Sequence, residues 1–180
     1  ESIAKGNHTY TAGICIIYNR SNGSTYADEL IINNCVNNGE IEGDTVAGII
    51  GNSSGNLKLS DCENNGAING RYSAGGIAQC IENKNSNEAE VSNCINNGNV
   101  FGGAEAAGII DYAEGITVTN CINNGNISSN GYVGGIFSYT SSVKGTGLVN
   151  NGKISGLEDI GGISAYDEGN SIFSKLYNTG

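Results

Sequence analysis

The sequence contains no proline, methionine or tryptophan, and its only histidine is His8. A single histidine near the N-terminus is best interpreted as a surface residue, and it leaves no plausible Ser–His–Asp triad. No Cys-x-x-Cys or His-Glu-x-x-His motif occurs, so we expect no metal site and no cofactor. No apolar run reaches the roughly 18 residues that a membrane helix needs, and no apolar signal segment follows Glu1. We therefore expect no membrane insertion.

Basic residues are also scarce: 8 Lys and Arg stand against 18 Asp and Glu, for a net charge of −10. Such a balance disfavours nucleic acid and anionic membrane surfaces as partners. It favours solubility and mutual repulsion of identical β-rich surfaces. We therefore predict that nucleic acid is not a partner.

A repeated motif, Cys-x-Asn-Asn-Gly, dominates the rest of the sequence. It occurs at Cys35–Gly39, Cys62–Gly66, Cys94–Gly98 and Cys121–Gly125, with Leu in place of Cys at Leu148–Gly152, and in a weaker form at Leu176–Gly180. The final glycines of these copies are 27, 32, 27, 27 and 28 residues apart. Self-similarity at a fixed period of this length is typical of solenoid proteins.

Each repeat contains three short β-prone segments separated by Gly, Asn, Ser and Asp. In the second repeat these are an alternating segment around Ile41, a small-residue segment at Ala47–Ile50, and Leu57–Leu59. The Asn-Asn-Gly segment is predicted to be a turn, with its asparagines stacked in ladders. We predict an all-β, right-handed parallel β-helix of about six coils of roughly 27 residues, forming one domain over residues 1–180 of what reads as a longer chain.

The cysteines behave in the pattern as small hydrophobic residues, because Leu148 and Leu176 occupy the same repeat position. We predict free, buried thiols. Stacked coils place equivalent residues about 4.8 Å apart, which leaves a disulfide open on distance alone.

The repeats resemble the GLUG repeat of bacterial surface proteins, which include some immunoglobulin A proteases. Three segments carry the resemblance: Ala74-Gly75-Gly76-Ile77, Val91-Ser92-Asn93-Cys94 and Asn97-Gly98-Asn99-Val100. Similar segments recur five or six times over nearly the whole chain. The resemblance implies a large extracellular protein, on the bacterial cell surface or secreted, in which the repeats themselves are not catalytic.

Two features are candidates for binding. Insertions at residues 19–28 and 82–88 interrupt the period, and insertions in solenoids often form loops on the binding face; their candidate residues are Arg20, Tyr26, Lys84 and Asn85. A second candidate is a column predicted to contain Tyr18, Ser53, Cys80, Tyr112, Tyr139 and Tyr166. Tyr112, Tyr139 and Tyr166 at coil spacing form either a structural stack, which we favour, or an exposed strip for sugar rings.

These observations predict a non-catalytic extracellular scaffold or adhesin-like segment that binds a host or neighbouring-cell protein or glycan. The first alternative is the subunit of an extracellular filament, joined end to end through the strand edges of its outer coils. The second is a carbohydrate-active β-helix enzyme, although Glu40 and Glu42 have no acidic neighbours in the next repeat.

Overall fold

A computed structural model of the chain describes residues 10–16, 29–83 and 89–180, and the backbone of residues 3–5. These residues form strands, turns and bends and contain no helix, and their strands pair in parallel. The predicted parallel β-solenoid is therefore confirmed, with about 5 turns at ~27-residue spacing. None of the described residues forms a helix long and apolar enough to cross a membrane.

The described strands form four sheets, each extended by one level in every coil. The side-lobe sheet consists of Ile3–Lys5, Thr11–Ala12, Glu40–Ala47, Ile68–Gly75, Val100–Gly102, Glu105–Ala107, Ile127–Ser129, Tyr132–Gly134, Ile154–Ser155 and Ile160–Gly161. The tyrosine sheet consists of Ile50–Ser54, Ala78–Glu82, Ile110–Glu114, Phe137–Ser141 and Ser164–Asp167. The leucine sheet consists of Leu30–Asn33, Leu57–Ser60, Ala89–Ser92, Ile116–Thr119, Lys144–Thr146 and Ile172–Ser174. The asparagine sheet consists of Val36–Asn37, Glu63–Asn64, Ile95–Asn96, Ile122–Asn123, Val149–Asn150 and Tyr177–Asn178.

The layout of one coil differs from the predicted three segments in two respects. The Asn-Asn segment is not simply a turn, because its first asparagine lies in a two-residue strand that forms a fourth sheet. The small-residue segment is not a strand, because Gly48 and Ile49 form a bend between the side lobe and the tyrosine sheet. Small residues therefore mark a corner here.

Apolar residues fill two separate cores. The larger core is lined by Ile49, Leu59, Cys94, Ile110, Phe137 and their equivalents in other coils. The smaller core lies inside the side lobe, where Ile41 and Val46 of one strand pack with Ile68, Val100 and Val133. The side lobe is thus a thin layer attached along one side of the main solenoid.

The predicted alignment of the second repeat was wrong by one position over part of its length. Asp44 stands opposite two residues, Arg71 and Tyr72, because the register between neighbouring strands shifts there in a β-bulge. As a result Cys80 pairs with Asn52 in the coil below, and not with Ser53.

An internal asparagine ladder holds the coils together. The amide nitrogen of each inner asparagine donates to the side-chain oxygen of the next at 2.7–2.8 Å, through Asn37, Asn64, Asn96, Asn123, Asn150 and Asn178. Its second hydrogen is donated to the carbonyl of the glycine two residues on, as from Asn96 to Gly98 at 2.8 Å. Asn64, Asn96, Asn123 and Asn150 are fully buried. The ladder therefore satisfies amides that would otherwise be costly inside a protein.

A second ladder runs along the surface with the opposite direction of donation. Asn65 donates to Asn38 at 2.9 Å, Asn97 to Asn65 at 2.9 Å and Asn124 to Asn97 at 2.8 Å. The predicted asparagine stacking is confirmed. Each Asn-Asn-Gly motif contributes one asparagine to each ladder, and in the last copy Thr179 takes the outer position and donates to Asn151 at 3.1 Å.

The glycine of each motif is required by close backbone contact. A Cβ added at Gly98 would lie 1.9 Å from the carbonyl oxygen of Gly66, and the corresponding distances at Gly66, Gly125, Gly152 and Gly180 are 1.8–1.9 Å. At the corner, a Cβ added at Gly76 would lie 2.6 Å from the Cγ of Asn96. Glycine is therefore needed both at the end of the motif, as at Gly98, and at the corner, as at Gly76, where the inner asparagine leaves no room for a side chain.

The cysteine column lies beside this corner, facing the main core. Cys62, Cys94 and Cys121 are buried, Cys35 is half-buried, and all six cysteines are free. Contact with the neighbouring thiol of Cys121, followed by burial, raises the pKa of Cys94 to about 12. The predicted free thiols are confirmed, and Cys94 stays protonated at neutral pH.

Candidate functional site: a tyrosine face and a buried acidic seam

The predicted tyrosine column exists on the outside of the tyrosine sheet. Tyr112 pairs with Tyr139, and Tyr139 with Tyr166, in successive coils. The rings of Tyr112 and Tyr139 are stacked, with centroids 4.6 Å apart and planes 6° apart. Tyr139 and Tyr166 follow at 5.4 Å and 28°. Because the ring faces cover one another, the edges and hydroxyl groups are what this surface presents.

Carboxylates hold the phenol hydroxyl groups of this face. The hydroxyl of Tyr112 donates to Glu114 at 3.0 Å, and that of Tyr139 donates to Glu168 at 2.5 Å. Burial, and then the bond to Glu114, raises the pKa of Tyr112. The bond to Glu168 is the main cause that raises the pKa of Tyr139 to about 12. Both phenols therefore remain protonated and oriented at neutral pH.

The other candidate residues, Arg20, Tyr26, Lys84 and Asn85, lie outside the described residues, as does Tyr18. The described residues that flank the two insertions do belong to the same two sheets. Residues 84–88 follow the tyrosine-sheet strand Ala78–Glu82 and precede the leucine-sheet strand Ala89–Ser92. In the first coil Cys15 bridges to Ile50 of the tyrosine sheet, and the chain next enters the leucine sheet at Leu30–Asn33. The tyrosine sheet is therefore the last sheet that the described residues contact before each insertion.

A buried acidic group lies where the side lobe meets the tyrosine sheet, a contact that we call the seam. Asp111 follows the core residue Ile110 and has no exposed surface. The hydroxyl of Ser138 donates to a carboxylate oxygen of Asp111 in a very short bond and also lies 2.7 Å from its backbone carbonyl. The amide of Gln79 donates to the second carboxylate oxygen at 3.1 Å. Asp111 is thus bonded to side chains one coil below and one coil above.

The side lobe adds a second carboxylate to the seam. Ser73 donates to Glu105 at 3.4 Å, and Ser73 also lies within hydrogen-bonding reach of Asp111. Burial, and after it the negative charge of Glu105, raises the pKa of Asp111 to about 7. The hydrogen bonds that Asp111 accepts act in the opposite direction and lower its pKa. Asp111 therefore changes its protonation state near neutral pH, which no exposed aspartate does.

The amide oxygen of Gln79 completes the seam. This oxygen is buried and has no hydrogen-bond partner, although the nitrogen of the same amide contacts Asp111. Unpartnered buried carbonyl groups are rare because each forfeits its bond to water. The seam therefore contains an acceptor that its own protein atoms leave unsatisfied.

The chemical capacity of the seam is limited by access. A general acid must lie within hydrogen-bonding distance of its substrate, and Asp111 has no surface open to one. Among the described residues, no group of three or more His, Cys, Asp or Glu side chains has the arrangement of a metal site. No motif in the sequence points to the seam. Its one trace is the polar column of Gln79, Asp111 and Ser138, which lies beside the apolar column of Ala78, Ile110 and Phe137.

A scan against protein-family models finds no match for this chain, and searches of curated proteins and of solved structures find no significant match. The resemblance to the GLUG repeat accordingly stays a prediction from the sequence.

Proposed function

We propose that this chain is a non-catalytic repeat scaffold of a bacterial surface or secreted protein, and that its tyrosine face binds a protein or glycan outside the cell. The observation that carries the proposal is that the repeated polar residues are engaged with one another. Asn96, for example, bonds to Asn64, Asn123 and Gly98 at 2.8 Å each. Residues used in this way supply register and rigidity, and they offer no reactive group to a substrate.

The state of the acidic residues supports a non-catalytic role. Glycoside hydrolysis uses two carboxyl groups that both reach the sugar. Asp111 is the carboxyl group whose pKa is raised, with the charge of Glu105 as the second cause after burial, but Asp111 is completely enclosed. An enzyme would need this pair to open to solvent.

The tyrosine face supports a binding role for the scaffold. Its hydroxyl groups and carboxylates are fixed by mutual bonds, such as that between Tyr139 and Glu168. Tyr166 is 44% exposed, and it has a neighbouring ring on one side of the column only. Oriented hydroxyl and carboxylate groups beside an exposed aromatic ring suit the hydroxyl-rich surface of a glycan. The resemblance to the GLUG repeat favours a location outside the cell.

The experiment is a binding measurement on immobilised mucin and on a glycan array, with two matched variants. Tyr166→Ala removes the exposed ring of the tyrosine face, and Tyr72→Ala removes a tyrosine of the side lobe that is also exposed. We expect binding to the wild type and to Tyr72→Ala, and a loss of about tenfold or more for Tyr166→Ala. Equal binding of the two variants would contradict the role of this face. Turnover of a polyuronide or glycan that disappears in Asp111→Asn would contradict the non-catalytic assignment.

A further inference from the structure

The repeat motif places a chemically labile pair of residues in every coil. An asparagine followed by glycine loses its side-chain amide readily, because glycine has no side chain to hinder attack by its own backbone nitrogen. Five such pairs end the motifs: Asn38-Gly39, Asn65-Gly66, Asn97-Gly98, Asn124-Gly125 and Asn151-Gly152. The side lobe contains two more, Asn69-Gly70 and Asn130-Gly131, and Asn22-Gly23 lies outside the described residues. Asn69 lies within the strand Ile68–Gly75 and donates to Glu40 at 2.7 Å.

The surface ladder holds the labile asparagines of the motifs. Asn124, for example, donates to Asn97 at 2.8 Å and accepts from Asn151 at 2.9 Å. The backbone N–H of Gly125 donates to the carbonyl of Asn96 in the coil below at 3.3 Å. The side-chain amide and the glycine nitrogen, which are the two groups that must meet, are therefore both bonded to neighbouring coils.

Asn130 has neither restraint. It is exposed, at the corner that joins the side-lobe strands Ile127–Ser129 and Tyr132–Gly134, and its side chain makes no hydrogen bond to any described residue. The N–H of Gly131 donates to the hydroxyl of Ser129 at 3.0 Å, within the same corner. Among the Asn-Gly pairs that the structure describes, this is the one whose side-chain amide has no hydrogen bond.

We propose that Asn130 is a site of spontaneous deamidation in the folded protein, and that the surface ladder protects the motif asparagines from the same reaction. The backbone nitrogen of Gly131 attacks the Cγ of Asn130 and forms a new C–N bond. The C–N bond of the side-chain amide breaks, and its nitrogen leaves as ammonia with the proton that Gly131 gives up. Water then opens the cyclic imide at either carbonyl, which yields aspartate or isoaspartate. The only co-reactant is water.

The position of the site limits the damage that the reaction does. Isoaspartate inserts one methylene group into the backbone, which a tightly stacked coil does not tolerate. In the motif, a Cβ added at Gly125 would already lie 1.9 Å from the carbonyl oxygen of Gly98. The ladder therefore protects the part of each coil in which isoaspartate would disturb the stacking. At Asn130 the main change is a new carboxylate on the surface of the side lobe.

The test compares the pairs of one chain by peptide mass spectrometry after incubation at pH 8 and 37 °C, in buffer and in urea. In the folded protein Asn130 should convert at least about tenfold faster than Asn65, Asn97 and Asn124, because their ladder bonds must open first. In urea the pairs should react at similar rates, because the ladder is absent. Asn124→Ala removes the acceptor of Asn151 and should speed the conversion of Asn151, while Asn65, whose partners remain, serves as the internal control.

Three results would overturn the proposal. Retention of the Asn130 amide in the folded protein, over the time in which the urea sample converts, would remove the site. Conversion of Asn65, Asn97 and Asn124 as fast as Asn130 would remove the protective role of the ladder. The same ranking of the pairs in urea as in buffer would assign the selectivity to the local sequence.

Discussion

Replacing Asp111 by asparagine is expected to stabilise the protein at alkaline pH. The side chain keeps its size, and its oxygen still accepts the hydrogen bond of Ser138. Its new amide nitrogen can donate to the side-chain oxygen of Gln79 once the Gln79 amide rotates by about 180°. This oxygen is free to accept because it has no hydrogen-bond partner in the wild type. The substitution therefore removes a buried charge while leaving the hydrogen bonds of the seam intact.

The magnitude follows from the titration of Asp111. Its pKa is raised from 3.8 to about 7, chiefly by burial. One pKa unit corresponds to about 1.4 kcal/mol, so ionisation in the folded state costs up to about 4 kcal/mol more than in the unfolded state. A folded-state pKa above the unfolded value means that the folded protein binds the proton more tightly. The free energy of unfolding therefore falls as the pH rises from about 4 through about 7.

The assay is urea unfolding followed by far-ultraviolet circular dichroism at pH 4 and pH 8. We expect Asp111→Asn to exceed the wild type at pH 8 by up to about 4 kcal/mol, and to lose most of that advantage at pH 4. Asp159→Asn, at an exposed position of the last coil, is the control and should change little at either pH. A difference between Asp111→Asn and the wild type that is the same at both pH values, or a less stable variant at pH 8, would refute the reasoning.

Three further predictions concern single residues of the coils. Cys94, whose pKa is raised to about 12 by its contact with Cys121 and by burial, should resist iodoacetamide at pH 8 until the protein unfolds; alkylation of the folded protein, measured by peptide mass spectrometry, would contradict this. Gly98→Ala should cost more than about 3 kcal/mol of unfolding free energy, because its Cβ meets the Gly66 carbonyl at 1.9 Å. Gly55→Ala, with nothing within 4 Å but a φ of +124°, should cost about 1–3 kcal/mol in the same urea measurement.

The sequence was sufficient to predict the solenoid because the repeated residues of one coil contact the equivalent residues of the next coil. The interchange of Cys121 and Leu148 correctly indicated a packing position, and the recurrent asparagines correctly indicated ladders. The two asparagines of a motif cannot be told apart by composition, however. Asn96 points inward and Asn97 outward because side chains alternate along the two-residue strand Ile95–Asn96 and the residue after it. The sequence predicts a turn at this position, so the alternation was not foreseen.

Two other features depended on tertiary contacts. The bulge opposite Asp44 shifts the register without altering the motif, so repeat alignment placed Ser53 where Asn52 lies. The seam is created when the side lobe packs on the tyrosine sheet, which brings Glu105 towards Asp111. Local patterns such as strand alternation describe one segment at a time, so they cannot reveal a contact between two layers of the same coil.

The central claim is that the inner asparagine ladder holds the scaffold together, and paired alanine substitutions of Asn96 and Asn97 test it most directly. Asn96→Ala removes three buried bonds, each of 2.8 Å, and leaves their partners unpaired. Asn97→Ala also removes three bonds, but these are exposed: to Asn65 at 2.9 Å, to Glu63 at 2.8 Å and from Asn124 at 2.8 Å. The measurement is the free energy of unfolding of each variant in urea. The account predicts a loss of about 3 kcal/mol or more for Asn96→Ala and of about 1 kcal/mol or less for Asn97→Ala. Equal losses for the two variants would contradict it.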